Sequence, residues 1–345
     1  MKNFKRVIIW ALLSLSLQAG GLYFLERMYF KHSSDFKVEK VEAKPVEANV
    51  TIPNNIEDVK VSYSGRYISY FNNDKLYAIN TKNGEENEIT IEDSNEILYA
   101  DWIENVNRII LVIRDINDRV QLYTYDISSR TEHKIKELGN YSNSMKINGL
   151  EVSSKTGVKY IAITMGSSRP TIYRIDINET LTKVSHNIKK LGEIAAFQNK
   201  DILICEDESR NSFYSYTNGK SKKLSLNISG KIDVLGTDSN DNIYFGEYEG
   251  DKIYRIVYGS LDTKEGEWQS LVLDESKNKE DIHVTGNGEI LINDNLKGMV
   301  LNKTTGETIS YKGKFVSMND KIIYSNKEGY IYIKNIKDVD NATEV

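Results

Sequence analysis

One local pattern recurs seven times between residues 56 and 340: a short apolar strand, a polar turn, then a second strand that in six of the seven copies carries tyrosine at one register. The second strands are KLYAIN (75–80), QLYTYDI (121–127), TIYRIDI (171–177), SFYSY (212–216), KIYRIVY (252–258), GMVLN (298–302) and YIYIKNI (330–336). Taking Tyr77, Tyr123, Tyr173, Tyr214, Tyr254, Val300 and Tyr332 as markers, the intervals are 46, 50, 41, 40, 46 and 32 residues. A unit of about 40–50 residues holding four short strands is the repeat of a β-propeller. The chain is therefore expected to be all-β and to form a seven-bladed β-propeller. Six or eight blades are the alternatives, because the sixth unit is short and lacks the tyrosine. A ring of this kind allows a single domain of about 300 residues, since each blade adds its own packed layer.

Four strands can be read in each of the first six units, from VKVSYS, RYISYF, KLYAIN and NEITI at the start to DIHVTG, EILIND, GMVLN and TISYK in the sixth. The seventh offers only KFVSM, KIIYS and YIYIKNI. A ring left with a bare strand edge invites aggregation. VEANVTI (46–52) alternates Val46, Ala48, Val50 and Ile52 on one face and is expected to close the ring as the missing strand.

The first thirty residues set an expectation for the compartment. Lys2, Lys5 and Arg6 precede 19 residues without a charge, Val7–Leu25. At about 1.5 Å per residue this nearly spans a hydrocarbon core of about 30 Å. The basic flank places the N-terminus in the cytoplasm and the rest outside. The resulting layout is a cytoplasmic segment 1–6, a transmembrane signal-anchor helix 7–25, a juxtamembrane stalk 26–45 rich in alternating Lys and Glu, the propeller 46–340 and a tail 341–345. The competing reading is a cleaved signal peptide. Ala19-Gly20-Gly21 offers a small-residue site, but Leu22-Tyr23-Phe24-Leu25 continues the apolar run past it.

A net charge of −5, with no basic run beyond the N-terminus, lacks the electrostatic footprint of a nucleic-acid binder. The single Cys205, in the apolar run DILICED, rules out an internal disulfide framework and reads as a buried thiol.

VSYSGRYISY (61–70) resembles the S-P-D-G-[KR]-x-I-[AS]-[FY] strand–turn–strand of TolB-like propeller repeats, a type also found in tricorn and dipeptidyl-peptidase propeller domains. Ser62, Gly65, Arg66, Ile68 and Tyr70 fall on that motif, and Tyr63-Ser64 replace Pro-Asp. LYAINTKNGEENEIT (76–90) resembles the segment that follows it, and YADWIENVNRIILV (99–112) is a degenerate copy. The resemblance is at the level of repeats and implies the fold; function lives in sites grafted on folds. The peptidases in this group work through a separate hydrolase domain with a G-x-S-x-G elbow, and that motif does not occur here.

Residues with catalytic potential are scattered. His32, His133, His186 and His283 fall on the stalk or on separate blades, without ligand or triad spacing. Asp238-Ser239-Asn240-Asp241-Asn242 has a calcium-loop spacing, but Ile243 stands where the turn needs glycine, so it reads as a polar connection. No catalytic residue, metal or cofactor is expected. The candidate binding surface is the rim made by turns between second and third strands, which share one face. It carries Arg114, Asp115, Asp118, Arg119, Arg169, Asp207, Glu208, Arg210, Glu247, Glu249 and Asp251. The expected function is a non-catalytic protein- or ligand-binding module of the bacterial cell envelope, with a membrane or envelope protein or a cell-wall component as partner. A lactonase- or lyase-like propeller enzyme with a channel-mouth site, or a cleaved secreted small-molecule sensor, are the alternatives.

Overall fold

The computed structural model describes Trp10, residues 14–21 and 23–24, and residues 49–336 apart from 54–55, 105, 227, 229, 264–266 and 328–329. The chain divides into two compact units, Met1–Lys44 and Pro45–Val345. In the first unit the described residues are helical, with Trp10, Leu15, Leu17, Tyr23 and Phe24 exposed. Among the described residues no helix is long and apolar enough to cross a membrane. The expected span over 7–25 falls partly outside them, and the stalk and the C-terminal tail fall wholly outside.

The second unit is a ring of seven four-stranded antiparallel sheets. The inner strands are Glu57–Val61, Ser94–Trp102, Met145–Val152, Leu191–Ala196, Ile232–Thr237, Ile282–Val284 and Lys314–Met318. Each runs outward through three further strands. Six sheets are contiguous in sequence. The seventh takes its outermost strand from Asn49–Thr51, which pairs antiparallel with Tyr330–Asn335 in the register Asn49↔Tyr332, Val50↔Ile331 and Thr51↔Tyr330.

The ring closes because every blade interface is greasy. Seven separate apolar clusters occupy the spaces between neighbouring blades. Where the ends of the chain meet, Val50 and Ile52 join Val61, Ile68 and Ile79 of the first blade and Ile322, Tyr324, Ile331 and Ile333 of the seventh. Strands sandwiched this way are buried on both faces and read as apolar runs, as in RIILVI of blade two, where Ile109 to Ile113 are all at most 1% exposed. Of the repeated tyrosines, Tyr77, Tyr123, Tyr173 and Tyr214 each pack half-buried against one of these clusters. Cys205 lies in one of them, fully buried, and that burial pushes its thiol pKa up.

Candidate functional site: an axial funnel

Antiparallel order sorts the turns by face. Turns joining the first to the second strand, and the third to the fourth, emerge on one face; turns joining second to third strands emerge opposite, with the links between blades.

The first face carries an axial funnel of about 730 Å³. Its construction repeats sevenfold. The residue that follows each inner strand donates its backbone N–H across the turn: Ser62 to Tyr67 O, Ile103 to Arg108 O, Ser153 to Val158 O, Phe197 to Ile202 O, Asp238 to Asn242 O, Thr285 to Glu289 O and Asn319 to Ile322 O, all at 2.9–3.0 Å. The bond fixes the next residue in the same place in every blade. Those next residues are Tyr63, Glu104, Ser154, Gln198, Ser239, Gly286 and Asp320, and all seven line the funnel. In blade one, Gly65 makes the turn possible. Its φ is +72°, and a Cβ there would meet the Ile322 side chain at 3.3 Å.

The ring has two unlike arcs. Over blades three to seven its members bond to one another: Ser154 N and Oγ donate to Gln198 Oε1 at 2.9 and 2.7 Å, Ser239 N to Gly286 O at 2.7 Å, and Gly286 N to Asp320 Oδ2 at 2.7 Å. The other arc, Asp320, Tyr63 and Glu104, spans blades seven, one and two. His283 donates Nε2–H to Asp320 Oδ1 at 2.9 Å. Lys321 lays its ammonium 4.1 Å from the centre of the Tyr63 ring. Burial, then the Asp320 and Glu104 carboxylates, raise the Tyr63 pKa. Burial and Asp320 likewise raise that of Glu104.

Three residues before the ring position, within the inner strands themselves, lies a second row. Here Lys60 pairs with Asp101 at 3.2 Å and Asp58 at 3.3 Å, and donates to Ala100 O at 2.8 Å. Tyr99 donates its hydroxyl to Asp101 at 3.0 Å. Glu151 occupies this row in blade three. Burial foremost, then the Glu104 and Asp101 carboxylates, push it up to about 8, so it holds its proton at neutral pH.

The rim expected from the sequence lies on the opposite face, and its residues have several different roles. Arg114 pairs with Asp118 at 2.6 Å and stacks 4.3 Å over Tyr141. Asp115 caps its own turn, accepting from Asn117 N and Arg119 N at 2.9 Å each and from Gln121 Nε2 at 2.9 Å. Those bonds outweigh burial and hold its pKa below the usual carboxylate range. Arg119 is tied to Glu137 and Asn140. Asp207 is 0% exposed and accepts from Ser209 N at 3.1 Å, Ser209 Oγ at 2.5 Å and Arg210 Nη1 at 3.1 Å. Glu247 is buried against Arg255 Nε at 2.5 Å. Asp207 and Glu247 therefore do not gather on an open rim; each is consumed inside its own blade. Arg169, Glu249 and Asp251 are exposed at hairpin tips. Glu208, paired with Lys190, is brought together with Glu193, Glu206 and Asp233 around a second cavity of about 650 Å³.

The Asp238 loop is likewise structural. Its carboxylate accepts from Asn240 N, Asn242 N, Asn242 Nδ2 and the Tyr244 hydroxyl at 2.8–3.0 Å. Among the described residues no group of three or more His, Cys, Asp or Glu side chains is placed to hold a metal ion.

Fold and funnel together define a closed seven-bladed β-propeller with a polar axial mouth. No family model matches the chain, and no curated protein matches it. Among solved structures it is similar to a chain of the Mitotic Checkpoint Complex, at 13% identity over 88% of this chain and 98% of that one, with a TM-score of 0.55. It is also similar to the Cps50 (Swd1) β-propeller domain of Myceliophteria thermophila, at 12% identity over 82% and 97%, with a TM-score of 0.51. TolB from Acinetobacter baumannii aligns at 15% identity over 82% of this chain and 63% of its own, with a TM-score of 0.43. These likenesses concern the fold alone.

Proposed function

We propose that this protein is a membrane-anchored, extracytoplasmic propeller that serves the bacterial cell envelope as a non-catalytic binding module, and that its ligand or partner enters the axial funnel. The observation that carries this reading is the convergence of one residue from each of seven turns on a single polar cavity. Loops positioned by a rigid scaffold are where binding residues concentrate. The placement outside the membrane rests on the charge-free run 7–25 and its basic flank. The partner class is an envelope or membrane protein or a cell-wall component.

Cys205 makes the test clean, because the lone thiol is buried and unreactive. Ser154→Cys in the full chain puts one accessible thiol at the funnel. A membrane-impermeant maleimide should label it in intact cells, and a thiol photo-crosslinker attached there should trap a partner. Labelling only after lysis overturns the external placement; absence of any crosslinked species overturns the binding reading.

Glu151 favours one competing view. A carboxyl that holds its proton at neutral pH, near Glu104 and Asp101, has the character of a general acid, as a lactonase- or lyase-like propeller would need. Turnover of a lactone panel that is lost in Glu151→Gln would support that view over the binding module.

A further inference from the structure

The two arcs of the funnel ring are not equivalent, and the difference bears on what enters. Ser154, Gln198, Ser239 and Gly286 spend hydrogen-bonding groups on one another, and Lys155 donates to Asn199 Oδ1 at 2.8 Å. That arc is a strap holding blades together. The other arc puts an aromatic ring, Tyr63, between two carboxylates at the mouth of a cavity: Glu104, and Asp320, which keeps its negative charge while accepting from His283 Nε2–H and Gly286 N–H.

An aromatic face flanked by carboxylates is the arrangement that receives an organic cation: the ring quadrupole and the carboxylates both attract positive charge. A second observation points the same way. The protein's own Lys321 ammonium is already seated on the Tyr63 ring, 4.1 Å from its centre, inside the funnel. The ring is therefore shaped and placed to take an ammonium on its face. The nearby Lys60 cannot play that part, being held by Asp58, Asp101 and Ala100 O. The pKa values of Tyr63 and Glu104 are raised by dehydration of the mouth first and by the neighbouring carboxylates second.

We infer that the Asp320–Tyr63–Glu104 arc is a recognition site for an alkylammonium group, either a free amine or the side chain of a lysine carried on a peptide, and that Lys321 competes with it for the ring. The inference rests on the funnel being the binding site.

The test is calorimetric titration of the full chain in non-ionic detergent with three probes: cadaverine, N-α-acetyl-lysine methylamide, and the neutral isostere 1,5-pentanediol. Binding of either amine without the diol supports the inference. Cadaverine alone identifies free amines as the source, and the lysine derivative alone identifies peptide-borne lysine. Glu104→Gln and Tyr63→Leu should each weaken the amine about tenfold, the scale of one lost cation contact. Lys321→Met should tighten it several-fold, which a merely misfolded variant does not do. Equal binding of diol and diamine, no amine binding at all, or an unchanged or weakened affinity in Lys321→Met overturns the inference. If the Ser154→Cys crosslink persists while the amines fail, the ligand class alone is refuted and the funnel reading stands.

Discussion

Glu151→Gln isolates the charge cost built into the axis. In the folded protein Glu151 titrates near 8 against an ordinary 4.5. The folded state thus keeps a proton that the unfolded chain releases, and stability must fall as pH rises from about 4.5 to about 8, then level off. The gap of about 3.5 pH units, at about 1.36 kcal/mol each, sets a ceiling of about 5 kcal/mol. Water reaching the channel through the funnel screens part of it, leaving a realised cost on the order of 1–3 kcal/mol. Glutamine keeps the shape of the protonated acid and never ionises. Urea unfolding of both proteins between pH 5 and pH 9 should give nearly equal stabilities at pH 5. By pH 9 the variant should be the more stable by that amount. Parallel pH profiles, or a variant less stable at pH 9, would refute the view that Glu151 is a charge held against its neighbours.

Other perturbations test the frame around it. Ile52→Ala opens a hole in the cluster that joins the first and seventh blades, where Ile52 is 6% exposed; it should cost about 2–5 kcal/mol by urea denaturation, and a cost near zero would show that the closing segment is dispensable. Asp207→Ala strips the fully buried acceptor that holds the Ser209–Arg210 turn and should cost about 1–3 kcal/mol, whereas Asp251→Ala at an exposed tip should stay within about 0.5 kcal/mol. Equal effects from both would mean that the rim acids share one role.

The blade repeat was legible because it is written in strand periodicity. RIILVI and KYIAIT are apolar on both faces, as strands packed between sheets must be, and the tyrosine register repeats with them. The funnel was not legible, because which residue faces the axis depends on where each inner strand ends and on bulges that shift its facing. Register breaks fall between Ile147 and Gly149, Leu191 and Ile194, and Val234 and Gly236, so equal spacing in sequence does not give equal orientation. The signal that could have found the ring is the second residue after each inner strand, Tyr63, Glu104 and their counterparts. It shows no shared residue type. The rim acids misled for the converse reason. In EDESRN and EYEGD, buried acceptors such as Asp207 and Glu247 stand beside exposed ones such as Glu208 and Glu249, and in one dimension all are loop acids.

A module of this kind is defined by the face that meets its partner. Photo-crosslinkers placed one at a time at Ser154, Gln198 and Asn287 around the funnel, and at Ile116 and Leu296 on the opposite face, can be activated in intact cells. A partner seated at the funnel gives one common crosslinked species from the three funnel positions and none of it from the other two. The same species trapped from Ile116 and Leu296, with the funnel positions silent, would contradict that seating.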